Sequence, residues 1–223
     1  MNLSILEICT DASLRTFQDT GRIFTCSGAI CINTAEENYT VSQDSTNNRG
    51  ELLAVYLGIK LAHKTIQQFP NTFESIYLYS DSQFAILGIR DWMDNWYKSM
   101  DAYDIMYGSS GKPVKNQELF KMIVTYLVIN KLTINFRNQK GHINLNSQSH
   151  LAAANNQFKQ ANGYWLKPED IYKISFYNDI VDKTSRRILN GINQNDYPIF
   201  NYSPNRSEMM VYKIPPDYRT YIK

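Results

Sequence analysis

The sequence predicts an α/β fold: a five-stranded mixed sheet flanked by helices. Two observations support this. Short strand-like runs alternate with longer amphipathic segments in the order β-β-β-α-β-α-α-β-α. The early strands are joined by short polar turns, whereas helices separate the later ones. The sheet should therefore combine an antiparallel hairpin section with parallel crossovers.

The chain is long enough to bury one sizeable core, since 43% of its 223 residues are hydrophobic. We predict a main domain over residues 1–163 and a C-terminal extension over 164–223 that is small or packed on the main domain. The formal net charge is only +2, so the overall charge does not by itself indicate a nucleic-acid partner. Any such binding must come from local arrangement.

Several features predict an intracellular, cytoplasmic protein. No apolar run approaches the roughly 18 residues of a membrane span, and the first residues lack a basic leader region. Cys9, Cys26 and Cys31 lie in apolar strand-like segments without metal-site spacing, which favours buried free thiols. Nothing suggests an obligate oligomer, so we expect a monomer with no membrane contact.

The individual elements follow from periodicity and from turn residues. The predicted strands cover residues 4–10, 22–32, 39–42, 75–80 and 132–136. The main predicted helices cover residues 48–67, 115–130, 147–161 and 178–190, and a further helix follows residue 83. The loop between residues 97 and 113 is polar.

The stretch Asn47-Asn48-Arg49-Gly50-Glu51-Leu52 opens the first long helix. Asn47 or Asn48 is a suitable N-cap, because an asparagine side chain can accept a hydrogen bond from the first turn. Glu51 then falls near the positive end of the helix dipole, and a purely capping role is one interpretation of it.

Two further carboxylates favour a functional interpretation. Asp11 follows the first predicted strand and Asp81 follows the fourth, and either alone could be an ordinary strand-end turn residue. If these strands are neighbours, both side chains emerge at one edge, where Glu51 can join them. Three such carboxylates repel one another unless hard cations such as Mg²⁺ lie between them. Two ions about 3.5–4 Å apart would suit in-line phosphoryl displacement.

These residues belong to motifs that resemble the ribonuclease H1 family. The matching segments are Thr10-Asp11-Ala12-Ser13, Thr46-Asn47-Asn48-Arg49-Gly50-Glu51-Leu52, Tyr79-Ser80-Asp81-Ser82-Gln83, Trp92 with Trp96, Lys112-Pro113-Val114-Lys115-Asn116 and Gly141-His142. The resemblance covers approximately residues 3–162. It implies an RNase H-like fold and a metal-dependent endonuclease that cleaves the RNA strand of RNA–DNA hybrids.

The resemblance also implies residue roles. The metal ligands would be Asp11, Glu51 and Asp81, holding two Mg²⁺ ions with Mn²⁺ as a substitute. The readers of the RNA minor groove would be Asn47, Asn48 and Gln83, since amides suit base edges and the 2′-hydroxyl distinguishes RNA from DNA.

The remaining implied roles concern proton transfer and grip on the DNA strand. His142 would be the loop histidine that helps proton transfer or product release; otherwise it is an exposed bystander. The basic protrusion that grips DNA would comprise Trp92, Trp96, Lys98, Lys112 and Lys115. The two tryptophans could equally be helix packing.

The family's fourth acid, an aspartate early in the last helix, has no counterpart between residues 141 and 158. Matching its apolar neighbour to Phe158 predicts Asn156 as the fourth position, with Asn155 as second choice. A neutral asparagine should weaken the second metal and lower cleavage by orders of magnitude. Alternatively, Asn156 is a surface helix residue and another group completes the site.

A second departure is the loop from residue 97 to residue 111, which carries Asp101 and Asp104 but only Lys98 as a cation. Fewer phosphate contacts would weaken nucleic-acid binding. The extension could supply grip through Lys183, Arg186 and Arg187, or it could be a packing segment or a partner surface.

Two other functions stay open on the sequence alone. The chain could be a catalytically silent module that binds hybrids or a protein partner. It could also be another nuclease or an integrase of the same fold superfamily. That class needs its glutamate on a later helix, and the position of Glu51 on the first helix argues against it.

Overall fold

The computed structural model describes residues 4–43, 45–192 and 213–223. Its sheet has the strand order β3-β2-β1-β4-β5. The strands are β1 (Ser4–Thr16), β2 (Ile23–Cys31), β3 (Glu37–Gln43), β4 (Phe73–Ser80) and β5 (Asn135–Asn138). The first three strands pair antiparallel, and β4 is parallel to both β1 and β5. The predicted mixed sheet is confirmed.

Helices cover both faces of this sheet. They are α1 (Asn47–Gln68), α2 (Gln83–Leu87), α3 (Met93–Lys98), α4 (Gln117–Ile129), α5 (Gln148–Asn162) and α6 (Pro168–Gly191). A π-helical turn, Gly88–Trp92, joins α2 to α3. In the part of the chain that the structure describes, no helix is long and apolar enough to cross a bilayer.

The larger core lies between the sheet and α1, and it requires a close approach of backbone to backbone. A Cβ added to Gly58 would lie 2.6 Å from Thr10 Cγ2 and 3.1 Å from Ile8 Cγ2. Only glycine leaves room for α1 to lie this close to β1. The apolar side chains of α1 therefore reach the strands that carry the catalytic candidates.

A second core lies on the opposite face, where α6 covers β1 and β2. Ile171, Ile174 and Val181 of α6 are buried there, together with Phe158 of α5. The helix is longer than the predicted 178–190 because Pro168 starts it, and proline suits the first turn, where no backbone N–H is needed.

Residues 213–223 return to the main core. Tyr218 and Ile222 are buried in the larger core, and Ile222 forms a parallel bridge with Ile134 next to β5. The described parts of the predicted extension are thus packed on the main domain. The boundary at residue 163 stays a prediction, and Pro198 and Pro204 lie outside the described residues.

Other local predictions also differ from the structure. β1 runs to Thr16 because it continues to pair with β2, so Asp11 lies inside the strand. The N-cap of α1 is Thr46, whose side chain accepts from the Arg49 amide at 3.3 Å, and Asn47 and Asn48 belong to the first turn. β5 starts at Asn135, three residues later than predicted.

The cysteine prediction and one cap are confirmed. Cys9, Cys26 and Cys31 are buried and free. Ser147 caps α5 by accepting a hydrogen bond from the His150 amide at 3.4 Å.

Candidate active site

Asp11, Glu51 and Asp81 meet at one point above the sheet. Each offers a carboxylate oxygen, and these atoms lie within 4.8 Å of one another. The parallel pairing of β1 with β4 ends at Thr10 and Ser80, so the next residue on each strand is an aspartate. The first turns of α1 bring Glu51 to the same place.

Two glycines make this convergence possible. A Cβ on Gly50 would lie 3.2 Å from Ala12 Cβ, which is tighter than an ordinary contact. A Cβ on Gly141 would lie only 1.9 Å from Asp81 Oδ2. Glycine at these positions lets α1 lie close to β1 and β2, and lets the loop after β5 approach Asp81 directly.

The cluster is electrostatically unfavourable without a cation. Asp11 and Glu51 are 4% and 5% exposed. Burial raises the pKa of Asp11 well above its usual range, and the nearby Asp81 and Asp182 raise it further. Burial likewise raises the pKa of Glu51, followed by the charges of Asp11 and Asp81. Within the described residues, buried Glu51 Oε2 has no hydrogen-bond partner. An unsatisfied carboxylate oxygen among other carboxylates fits a hard divalent cation.

A fourth carboxylate, Asp182 of α6, lines the same cavity of about 620 Å³. Its Oδ1 accepts hydrogen bonds from Ser13 Oγ at 3.0 Å and Arg186 Nε at 2.8 Å. Its Oδ2 lies 3.5 Å from His142 Nδ1. Asp182 was not among the site residues predicted from the sequence. A detectable signal was the polar stripe Asn178, Asp182 and Ser185, which is buried at helical spacing on an otherwise apolar face.

The structure does not bring Asn156, the predicted fourth ligand, to the carboxylates. Asn156 is exposed on α5 and is not among the residues that line the cavity. Its neighbour Asn155, the second choice, has a structural role instead. The Asn155 side chain donates to Leu166 O at 2.8 Å and accepts from Leu166 N at 3.0 Å. It thereby fixes the connection between α5 and α6.

The side-chain amide of Asn178, on α6, is a neighbour of Asp11 and Asp81. Its Nδ2 lies 3.4 Å from Asp11 Oδ2, and its Oδ1 accepts from Gln139 Nε2 at 2.6 Å. A hydrogen bond from Asn178 also lowers the pKa of Asp81, against the larger effect of burial, which raises it. The buried amide therefore orients ligands without adding charge.

His142 lies on the loop after β5, at the rim of the cavity. Its backbone φ is 52°, an uncommon left-handed conformation for a non-glycine residue. Its side chain is exposed yet within reach of Asp182. This placement combines access to solvent with contact to the carboxylates.

The predicted RNA-reading residues lie around the entrance. Asn47 lines the cavity, and its side chain lowers the pKa of Glu51, against the larger effect of burial, which raises it. Asn48 and Gln83 are exposed in the first turns of α1 and α2. The structure thus places the amide of Asn47 at the cavity and the amides of Asn48 and Gln83 at exposed positions early in α1 and α2.

The tryptophans of the predicted protrusion pack against neighbouring aromatic rings. The rings of Trp92 and Trp96 are 5.8 Å apart, and Trp96 packs on Phe120 at 5.0 Å. Trp92 is nevertheless exposed at 38%. The cationic side chains of this region are exposed: Lys98, Lys112 and Lys115.

Asp101 has a structural role in the loop that follows α3. Its Oδ1 accepts from the amides of Tyr103 and Ile105, both at 2.9 Å, and its Oδ2 accepts from the Tyr107 hydroxyl. The Ile105 hydrogen bond is the main cause of its lowered pKa. The acidic residue therefore shapes the loop.

Comparison with known proteins identifies the family that this chain matches. The RNase H family model matches residues 4–158. The chain is 34% identical to a ribonuclease H of Actinobacillus succinogenes, over 61% of this chain and 78% of that protein. It is 36% identical to the ribonuclease HI of Haemophilus influenzae, over 61% of this chain and 78% of that protein.

Other relatives are matched over less of their length. Identity to a ribonuclease H of Rickettsia akari is 30%, and the match spans 49% of this chain and 62% of that protein. A solved structure of LC11-RNase H1 in complex with RNA/DNA hybrid shares 16% identity, over 70% of this chain and 95% of that one, with a TM-score of 0.39. Because the family model spans more than half of the residues, the chain belongs to the RNase H family.

Proposed function

We propose that this protein is a metal-dependent endoribonuclease that hydrolyses the RNA strand of RNA–DNA hybrids. The observation that carries the proposal is the set of four carboxylates, Asp182 included, that line one cavity. The family membership and the relatives named ribonuclease H support the reaction class.

The residues that would hold divalent cations are Asp11, Glu51, Asp81 and Asp182. Oxygen donors without nitrogen or sulfur suit Mg²⁺, and we propose two Mg²⁺ ions, with Mn²⁺ as a substitute. Bound ions would supply an activated water and stabilise the charge that develops on the transferring phosphate. The buried, unpaired Glu51 Oε2 supports this assignment.

His142 is suited to move a proton. Its Nδ1 faces Asp182 Oδ2, so the carboxylate can orient the ring and favour a proton on that nitrogen. Nε2 would then exchange a proton with the leaving oxygen. The exposure of the loop allows the ring to withdraw as the product departs.

The three amides at the entrance suit recognition of RNA. Asn47, Asn48 and Gln83 can both donate to and accept from base edges and 2′-hydroxyls in a shallow minor groove. Their position beside the carboxylates supports selection of the strand that carries 2′-hydroxyls. Trp92 and the lysines of the protrusion would contact the DNA strand.

The silent-module hypothesis rested on the neutral residue Asn156. Asp182 argues against that hypothesis, because its carboxylate lines the cavity that Asn156 does not reach. We therefore propose an active enzyme. The three buried free thiols support a reducing, cytoplasmic location, and we propose a monomer.

The test is cleavage of three labelled substrates of one sequence: an RNA–DNA hybrid, a DNA duplex and the RNA strand alone. With Mg²⁺ or Mn²⁺, only the hybrid should be cut, and only in its RNA strand. Glu51→Gln, which keeps the shape of the side chain, should abolish cutting. Binding of the hybrid without cleavage under all metal conditions would overturn the proposal.

A further inference from the structure

The cavity continues past the carboxylates to two arginines. Arg15 lies on the part of β1 beyond its pairing with β4, and Arg186 lies one helical turn after Asp182 on α6. Both line the cavity together with Leu189 and Asn190. The family resemblance assigned no role to either arginine, and the sequence alone offered Arg186 only as one of three cations through which the extension could supply grip.

Both guanidinium groups are held in place. Arg15 Nη1 donates to Leu189 O at 2.8 Å, and its guanidinium lies 4.3 Å from the centre of the Phe17 ring. Arg186 Nε donates to Asp182 Oδ1 at 2.8 Å, and 58% of its side chain stays exposed. Two oriented guanidiniums therefore line the cavity.

The charges explain what could bind there. Four carboxylates outnumber two guanidiniums, so the groove without metal repels polyanions. Divalent cations reverse that balance. A planar guanidinium presents several N–H donors and matches phosphate oxygens better than an ammonium does.

We propose that Arg15 and Arg186 together bind one backbone phosphate of the nucleic acid, next to the phosphate cut at the carboxylates. This phosphate site rests on the proposed function. It supplies contacts from β1 and α6, and none of the predicted protrusion residues lines this cavity.

The first experiment measures hybrid binding with Ca²⁺ in place of Mg²⁺, after a check that the RNA stays intact. Arg15→Ala and Arg186→Ala should each weaken binding about tenfold at low salt. Each should also reduce the slope of log K against log salt by about 0.9, the value for one phosphate contact. If both bind the same phosphate, the double variant should lose less than the sum of the two.

Arg187→Ala is the matched control. It removes the same charge from the adjacent position of the same helix, but Arg187 does not line the cavity. Its effect on the salt slope should be clearly smaller. Arg15→Lys should keep most of the slope while losing part of the affinity.

A second readout separates phosphate binding from a purely structural role of Arg186. Mg²⁺ affinity is measured by calorimetry without nucleic acid. If Arg186 only holds Asp182, its alanine variant changes Mg²⁺ affinity and leaves the salt slope for the hybrid unchanged. Arg15 has no contact with Asp182 among the hydrogen bonds of the described residues, so Arg15→Ala should leave Mg²⁺ affinity intact.

The phosphate can be located with neutral methylphosphonate linkages placed one at a time in a hybrid. One linkage should weaken binding of the wild type but not of Arg15→Ala or Arg186→Ala. Equal sensitivity of all three proteins at every position would overturn the phosphate site. A wild type that neither binds nor cuts the hybrid would instead refute the proposed function.

Discussion

Helices α5 and α6 are consecutive in the chain, and both carry asparagines. Of these two helices, only α6 contributes residues to the cavity that the carboxylates line. α5 buries Ala154 and Phe158 and turns Asn156 to solvent. α6 lies over β1 and β2 and buries Asn178 against Asp11 and Asp182 against Ser13. The comparison shows that contact with β1, and not a position in the chain directly after His142, determines which of the two helices adds a carboxylate to the cavity.

The strongest test of this comparison exchanges the two polar positions. Asp182→Asn should lower hybrid cleavage by at least about 100-fold, because it removes one charge from the cation site. Asn156→Asp should leave the rate within about twofold. Both rates are measured under single-turnover conditions with Mg²⁺. A faster Asn156→Asp enzyme would restore α5 as the ligand-bearing helix.

The second test asks whether α5 acts only as packing. Phe158→Ala should cost about 3–5 kcal/mol of unfolding free energy, because a fully buried ring leaves a cavity. Activity per folded molecule at 15 °C should change little. Denaturant titration gives the stability, and active-site-normalised rates give the activity. A large loss of rate in the folded fraction would show that α5 positions the site.

A smaller effect is expected at the connection between the helices. Asn155→Ala removes both side-chain hydrogen bonds to the Leu166 backbone, which should cost about 1–3 kcal/mol. Asn156→Ala is the matched control and should stay within about 0.5 kcal/mol, as exposed positions usually do. Equal losses would mean that the Asn155 pairing is not a stabilising feature.

The smallest expected effect concerns the buried charge. In EDTA, Asp11→Asn should raise the melting temperature by about 2–4 °C, on the scale of 1 kcal/mol for a domain of this size. The raised pKa of Asp11 means that the folded form holds its proton to higher pH than the unfolded form does. Wild-type stability in EDTA should therefore fall as pH rises from about 4 towards that pKa.

Adding Mg²⁺ should reverse the order of the two proteins. The wild type gains stability because the ion binds only the folded state, whereas Asp11→Asn gains less. Thermal melts at two pH values, with and without Mg²⁺, provide the check. If the melting temperature of the wild type changed with neither Mg²⁺ nor pH, the result would argue against an electrostatic cluster.

Much of the site followed from sequence because local chemistry fixes it. Asp11 and Asp81 follow paired residues of adjacent strands, and Glu51 lies in the first turns of a helix with a clear start. Asp182 could not be found in this way. Its role depends on a long-range contact between α6 and β1, and a complete helix, α5, lies between the Gly141-His142 segment and α6.

The pairing of residues 221–223 beside β5 has a consequence for solubility. Lys223 N donates to Ile134 O at 3.0 Å, and Phe136 N donates to Lys223 O at 2.8 Å. These bonds occupy the outer edge of a strand that would otherwise offer free backbone groups to another molecule. Residues 221–223 thus protect this edge of the sheet from pairing with a strand of another molecule.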